Sequence, residues 1–385
     1  MLVIRAMAVI GTGLIGTSVA LAASRQGVTV FLSDRNPVAA RTAAALGAGR
    51  AEDPPEPVDL AVLAVPPSHI GAVLAELQKR ELAHSYTDVA SVKSGPERAA
   101  LHHAPDPSRY IGGHPLAGRE RSGPLAARAD LFQGRPWALT PSPLTSDAAL
   151  RHARELVALC GGVPVVTQCQ VHDDAVALTS HVPHLVASLM AARLREVPEE
   201  VSRFAGQGLR DVTRIAAGDS LLWGDILQAN AASIVGVVKD LHEDLARLVA
   251  ALDALAEPDG AERVRGMRTV VDLLDRGIAG LAEIPNARRG TSVEDIPVRA
   301  AVADRPGELS RMLDALADFG VDADDVTVED AAAGEIGFTV AFAVPARVAD
   351  RVVAELMAEG WAAGPESGAR PGWSEEGSAL PAVRT

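Results

Sequence analysis

The sequence predicts three folded units in order: an α/β domain with a parallel sheet, an all-helical domain and a small α+β domain. In the first, short runs rich in Val, Ala and Leu alternate with longer helical segments, as parallel strands alternate with crossover helices. Beyond His172 the residues favour helix, until strand patterns return near residue 298. The predicted boundaries are 1–170, 171–285, a linker over 286–297, 298–362, and a disordered tail over 363–385.

Local patterns predict the elements of each unit. The first should contain strands at 6–10, 28–33, 60–65, 86–90, 137–140 and 163–166, and the second a long helical stretch at 220–255. A segment containing Pro, Gly and Arg then breaks the helical pattern. The third unit should run strand, turn, helix, strand, strand and helix, from VRAAVA at 298–303 to VADRVVAELMAEG at 348–360.

Composition and charge narrow the class of partner. The chain has 385 residues with a formal net charge of -14, which disfavours nucleic acid and anionic membranes and favours a small-molecule enzyme or a protein partner. Cys160 and Cys169 lack the spacing of a disulfide framework or zinc site. No charged-then-apolar leader is seen, and no uninterrupted apolar run is long enough for a membrane span. We expect a cytoplasmic protein.

A glycine motif follows the first predicted strand. Gly11, Gly13 and Gly16 open a helix, where a pyrophosphate can lie against backbone N–H groups. The second strand ends in Asp34, whose carboxylate would accept the ribose hydroxyls. The combination predicts a Rossmann domain. Asp34 would repel a 2′-phosphate and so favours NAD, while Arg35 and Arg41, which could bind that phosphate, leave NADP as the alternative.

Two further segments, DVASVK at 88–93 and GGHPLAG at 112–118, place polar residues where parallel-sheet enzymes keep their chemistry. Oxidation of an alcohol requires a base, and the imidazole of His114 suits that task at neutral pH. Ser91 could orient this imidazole or the substrate, or it could be the N-cap of the next helix. The alternative for His114 is a structural histidine.

The helical domain adds His172, His181 and His184. His181 and His184 have a spacing that could mimic a metal pair, but no third ligand has a supportive spacing, so we predict no metal. Asp211 and Arg214, three residues apart, form either a surface ion pair or a clamp for a substrate carboxylate.

Taken together, GTGLIG, SDRN, DVASVK, GGHPLAG, SHVPH and RDVTRIA resemble the prephenate and arogenate dehydrogenases of tyrosine biosynthesis. These enzymes oxidise the ring C4 hydroxyl of prephenate with NAD while the ring carboxylate leaves as carbon dioxide. The resemblance implies that His114 is the hydrogen-bond acceptor or base for the C4 hydroxyl and that Ser91 supports it. It also implies that Arg214 binds a substrate carboxylate and that His184 and Glu120 lie at the substrate pocket. It also implies a homodimer formed by the helical domain.

Because prephenate carries two carboxylates, an acidic protein must supply local cations, for which Arg214, Lys93, Arg119 and Arg121 are the candidates. The third unit resembles an ACT regulatory domain. Gly307, in the turn DRPGEL, would let the backbone approach an amino-acid ligand. Feedback control by tyrosine is the resulting hypothesis, and a role in dimerisation alone is the alternative.

Three other functions remain open on these residues. Arogenate differs from prephenate only in carrying an amino group in place of the side-chain keto group, and the sequence does not choose between them. A β-hydroxyacid or imine-reducing dehydrogenase would share the architecture but leaves His114 and Arg214 unexplained. An inactive sensor of NAD and amino acids would not need Ser91, His114 and Arg214 together.

Overall fold

A computed structural model describes residues 3–118, 122–198, 200, 203–257, 260–284, 295–321, 326–330 and 337–365. The chain divides into two compact units, residues 1–274 and 275–385. The predicted tail, 363–385, lies outside the described residues from position 366 onward, as do positions 286–294 of the predicted linker.

A seven-stranded sheet forms the centre of the first unit. Its strands are β1 Ala6–Ile10, β2 Thr29–Ser33, β3 Val58–Leu63, β4 Ala83–Asp88, β5 Tyr110–Pro115, β6 Pro136–Thr140 and β7 Val163–Val166. Their order is β2-β1-β3-β4-β5-β6-β7, and all neighbours are parallel except β5 and β6. The α/β prediction is confirmed. Strand β5 was not among the predicted strands, because Gly112 and Gly113 lower its β propensity.

Helices cover both faces of this sheet: α1 Leu14–Arg25, α2 Pro37–Ala45, α3 Ile70–Lys79, α4 Ser94–His103 and α5 Asp147–Leu159. Buried side chains of α1 and α5 pack on one face, and those of α3 and α4 on the other. Burial on both faces explains why the central strands are almost entirely apolar. Because β1 to β4 are parallel, their carboxyl ends lie at the same edge of the sheet.

The helical region comprises α6 Cys169–Val176, a π-helical turn at Ala177–His181, α7 Val182–Arg193, α8 Gln207–Thr213, α9 Ser220–Ala229, α10 Ala231–Ala256 and α11 Ala261–Ala282. The helical stretch predicted over 220–255 is helical in the structure, but it is divided into α9 and α10, which meet at a 94° bend. At this bend Asn230 is buried, and its Nδ2 donates to the Asp173 carbonyl oxygen at 2.8 Å. A side chain held in the core thus fixes the corner.

The helical region contains one long apolar run and one exposed row of apolar side chains. The run Cys169–Glu196 is long and apolar enough to span a membrane by length and composition, and the bent pair α9 and α10 also passes when taken together. The sequence-based expectation was that no uninterrupted apolar run is long enough for a membrane span, and this run differs from it. Helix α10 also exposes an apolar row to solvent, consisting of Val235, Val238, Leu241, Leu245, Val249 and Leu252. Such a row on a single chain is typical of a protein contact.

The second unit contains a four-stranded antiparallel sheet with two helices. Its elements are β8 Asp295–Val302, α12 Glu308–Ala317, β9 Thr327–Asp330, β10 Phe338–Pro345, α13 Ala346–Ala358 and β11 Ala362–Pro365, with strand order β11-β8-β10-β9. The predicted α+β arrangement is confirmed, with one further strand, β11. Strand β8 begins inside the segment that was expected to be linker.

Candidate active site

The glycine motif forms a cradle between β1 and α1. Gly11 has φ +100°, and a Cβ there would lie 2.2 Å from the Ala64 carbonyl oxygen; a Cβ on Gly16 would lie 2.0 Å from the Gly11 carbonyl oxygen. Both positions therefore require glycine. A Cβ on Gly13 would meet nothing within 4 Å, so the space above the helix N-terminus is open. This arrangement fits a dinucleotide pyrophosphate.

Asp34 follows β2 and has a second task that the sequence did not reveal. Its Oδ2 accepts hydrogen bonds from Thr12 N at 2.6 Å and Thr12 Oγ1 at 2.9 Å, and its Oδ1 accepts one from Asn36 N at 2.8 Å. Since each carboxylate oxygen has about two acceptor positions, Oδ1 retains one for a ribose hydroxyl. Asp34 therefore fixes the glycine loop while remaining able to bind a ribose.

His114 lies on β5, partly exposed, and begins a chain of three side chains. Its Nδ1 lies 2.9 Å from His172 Nε2, and His172 Nδ1 lies 2.8 Å from Asp173 Oδ1. An ionised carboxylate only accepts, so His172 donates from Nδ1 and accepts at Nε2, and His114 donates from Nδ1. This assignment leaves Nε2 of His114 with a free lone pair. The sequence named His172 but not this role, because 58 residues separate it from His114.

Asp173 also joins the helical region to the sheet. Besides His172, it accepts hydrogen bonds from Lys93 N and Ser94 N, both at 2.8 Å, at the start of α4. Burial raises the pKa of Asp173, but these hydrogen bonds outweigh it and hold the pKa below its usual value. The N-cap alternative for Ser91 is wrong, because α4 begins three residues later and Asp173 supplies its capping carboxylate. Ser91 is half-buried in the turn that precedes the helix.

Burial keeps the imidazoles of His114 and His181 neutral. Burial, with smaller contributions from His172 and Lys93, lowers the pKa of His114 well below 6.5. Burial also lowers the pKa of His181 to about 4. At neutral pH the imidazole of His114 is thus unprotonated, as a proton acceptor requires.

Lys93 does not serve as a cation for substrate, contrary to its place among the sequence candidates. Its side chain is fully buried, and its Nζ donates to the Asp88 carboxylate and to the Gly113 carbonyl oxygen. A buried ammonium that already has these partners is not accessible to a substrate carboxylate. Arg119, Arg121 and the predicted pocket residue Glu120 lie outside the described residues.

A cavity of about 350 Å³ opens between the π-helical turn, α7, the 3-10 turn that follows α8, and α9. Its lining consists of Gly118, Thr179, Ser180, Pro183, His184, Arg214, Ile215, Gly218 and Trp223. The structure thus brings the predicted residues His184 and Arg214 together. The proposed partner of Arg214 has another contact, because Asp211 Oδ1 accepts a hydrogen bond from Gln207 Nε2 at 2.8 Å.

The sequence missed Trp223 as a site residue, since a tryptophan on an apolar helix is ordinarily read as core. Its ring stacks on the His184 imidazole with centroids 3.6 Å apart and planes 9° from parallel. Beside this pair, the Nδ1 of His181 lies 3.1 Å from Asn230 Nδ2. Within the described ranges, no three His, Cys, Asp or Glu side chains converge as a metal site would require. The stacked pair instead forms a flat wall of the cavity.

Comparison with known proteins identifies this arrangement. Residues 19–166 match the nucleotide-binding domain of prephenate dehydrogenase, and residues 168–269 match its dimerization domain. The chain is 46% identical over 322 residues to a probable prephenate dehydrogenase, NovF, of Streptomyces niveus, an alignment covering 82% of this chain and 88% of the relative. The chain belongs to the prephenate dehydrogenase family. It is therefore an NAD-dependent oxidoreductase, as the sequence predicted.

Two further relatives broaden this comparison. A cyclohexadienyl dehydrogenase of Zymomonas mobilis is 32% identical, with 68% of this chain and 92% of that protein covered. The structure of prephenate dehydrogenase from A. aeolicus, solved with hydroxyphenyl propionate and NAD+, is 25% identical with a TM-score of 0.63, covering 73% of this chain and 99% of that chain. The apolar run Cys169–Glu196 falls inside the match to the dimerization domain.

Proposed function

We propose that this enzyme converts prephenate to 4-hydroxyphenylpyruvate by oxidative decarboxylation, with His114 as the base. The chain Asp173–His172–His114 carries the proposal, because it leaves a neutral imidazole with its Nε2 lone pair available. NAD, when bound, supplies the acceptor for the hydride that leaves C4. His114 Nε2 takes the C4 hydroxyl proton in the same step, so that C4 becomes a carbonyl carbon. As the ring carboxylate departs as carbon dioxide, the electron pair of its bond to the ring aromatises the ring and passes to the C4 oxygen. The His114 imidazolium then returns the proton to that oxygen, which becomes the phenol hydroxyl of the product.

His172 and Asp173 stabilise the imidazolium that this step creates. When His114 gains a proton at Nε2, its Nδ1–H bond to His172 becomes charge-assisted and strengthens. The Asp173 carboxylate, itself held by two backbone N–H groups of α4, holds His172 in the accepting tautomer. We propose that Ser91, in the turn between β4 and α4, orients the substrate hydroxyl or the His114 imidazole.

The cavity lined by Arg214, His184 and Trp223 is proposed to hold the substrate. Arg214 stays charged at any physiological pH and can bind a carboxylate with two parallel hydrogen bonds. Trp223 and His184 present a flat apolar surface suited to a planar ring. We propose that Glu120 lies at this pocket too, on the strength of the resemblance alone. Gly11, Gly13, Gly16 and Asp34 are proposed to bind NAD.

A direct spectrophotometric assay of NADH formation, with purified protein and NAD, tests which substrate the enzyme uses. We expect NADH to form with prephenate, at a higher kcat/KM than with arogenate. Because protonation of His114 blocks the base, kcat/KM should fall on acidification through a midpoint below pH 6.5. Preference for arogenate would make the enzyme an arogenate dehydrogenase. No turnover of either substrate would overturn the proposal.

Replacing Arg214 should affect substrate binding more than chemistry. For Arg214→Ala we expect the KM for prephenate to rise by about 10- to 100-fold with kcat changed much less, because a charge-assisted bond to a carboxylate is lost. Steady-state kinetics with Arg210→Ala as the control provide the comparison, because Arg210 is an exposed arginine of α8 that does not line the cavity. An unchanged KM would remove Arg214 from the substrate site.

We also propose that the second unit binds tyrosine as a feedback effector. Gly307, with φ +88°, is the N-cap of α12, and a Cβ there would meet nothing within 4 Å, so the turn is open to a ligand. Calorimetry on the full chain should detect tyrosine binding, and tyrosine should inhibit turnover. Neither effect is expected if this unit only supports dimerisation.

The enzyme is proposed to be a cytoplasmic homodimer that pairs through the apolar row of α10.

A further inference from the structure

A buried ion pair lies directly behind the strand that carries His114. The side chains of Lys93 and Asp88 are both 0% exposed, and the Lys93 ammonium donates to Asp88 and, at 2.6 Å, to the Gly113 carbonyl oxygen. Taking both charges out of water costs about as much as their attraction returns, so stability alone is a weak reason for such a pair. None of the steps proposed for the reaction uses the side chain of Lys93.

The pair is bonded into the two segments that lead to the base. Asp88 also accepts hydrogen bonds from Ala90 N at 2.7 Å and from the Tyr110 hydroxyl at 2.5 Å. A Cβ on Gly112 would lie 3.3 Å from Lys93 Cδ, and one on Gly113 would lie 2.7 Å from the Asp88 carbonyl oxygen. Strand β5 therefore packs so closely on the pair that the backbone before His114 is fixed by it.

We propose that Lys93 is a positioning residue for His114, holding the Gly113 carbonyl and placing its ammonium group close to the imidazole. Its position accounts for both effects, because the ammonium bonds to the carbonyl of the residue that precedes His114. The described contacts of the Asp88 carboxylate are with Lys93, Tyr110 and Ala90 N, so the cation is the member bonded to the strand of His114. This inference rests on the proposed role of His114 as the base.

Other charges reach His114 from the helical region. His172 on α6 and His181 on the π-helical turn act with burial and Lys93 to lower the pKa of His114, whereas the Asp173 carboxylate raises it. Around Lys93 and Asp88, Tyr110 on β5 has its pKa raised by burial and by Asp88, and is a neutral donor. Lys93 thus contributes to the charge balance at His114, and its replacement changes that balance without removing a group that hydrogen-bonds to the imidazole.

The test compares Lys93→Met with Asp88→Asn/Lys93→Met, using exposed Lys79→Met as the control. The double variant removes both buried charges, so it should fold even where an unpaired Asp88 unfolds the single variant. In each folded variant we expect kcat to fall about ten-fold and the acidic midpoint of kcat/KM to rise by about one pH unit, with the KM for NAD unchanged. Lys79→Met should match the parent enzyme.

Titration of the histidine rings by NMR gives a readout independent of turnover. The His114 signal, assigned by its loss in His114→Asn, should titrate at higher pH in the double variant than in the parent. A double variant with the parent's His114 titration and kcat would overturn the role of Lys93. Should the parent enzyme turn over neither prephenate nor arogenate, the proposed function fails, and the ring titration still decides whether Lys93 acts on His114.

Discussion

His114→Asn is expected to lower kcat by about 10² to 10⁴, the usual contribution of a general base. Asparagine can retain a hydrogen bond to His172 but cannot accept the hydroxyl proton. The affinity for NAD should be unchanged, since His114 lies on β5 and the glycine cradle lies at β1. The acidic limb of the pH profile should also disappear, because the group that titrates there is gone.

Steady-state kinetics and NAD titration check this prediction. His103→Asn is a matched control, because His103 is an exposed histidine at the end of α4. It should retain the parent's kcat and pH profile. A His114→Asn enzyme with full activity would exclude His114 as the base, and loss of NAD binding in that variant would indicate a structural role instead.

Asp173→Asn should lower kcat by about 10² to 10³ by a different route. An amide in place of the carboxylate can donate to His172, and this reverses the tautomer that lets His172 accept from His114. The imidazolium of His114 would also lose its stabilising anion. Because Asp173 caps α4 through Lys93 N and Ser94 N, we expect some loss of thermal stability as well.

The control for this change is the next residue along the helix. Asp174 is exposed, and its carboxylate accepts a hydrogen bond from Gln170 Nε2. Asp174→Asn should leave kcat and the melting temperature near those of the parent. If Asp173→Asn lost thermal stability but kept its kcat when assayed below its melting temperature, the carboxylate would be a cap only and not part of the proton-accepting chain.

The cofactor site could be predicted from the amino-acid sequence, because its residues are close together in the chain. Gly11, Gly13 and Gly16 lie within six consecutive residues, and Asp34 ends the next strand, so strand and helix patterns alone place them together. The order of the motifs likewise predicted His114, His184 and Arg214 as site residues. Each of these predictions needed only the spacing of residues along one or two elements.

The roles of the other residues near the site could be recognised only from the tertiary structure. His172 and Asp173 reach His114 and Lys93 across 58 and 80 residues of chain, a distance that no local pattern encodes. Lys93, a candidate for binding substrate, is instead buried against Asp88, and Trp223 stacks on His184 in the cavity. Periodicity shows which face of an element is apolar. Only the packing of distant elements shows which polar side chains face one another, because hydrogen bonds and burial depend on position in space rather than on order in the chain.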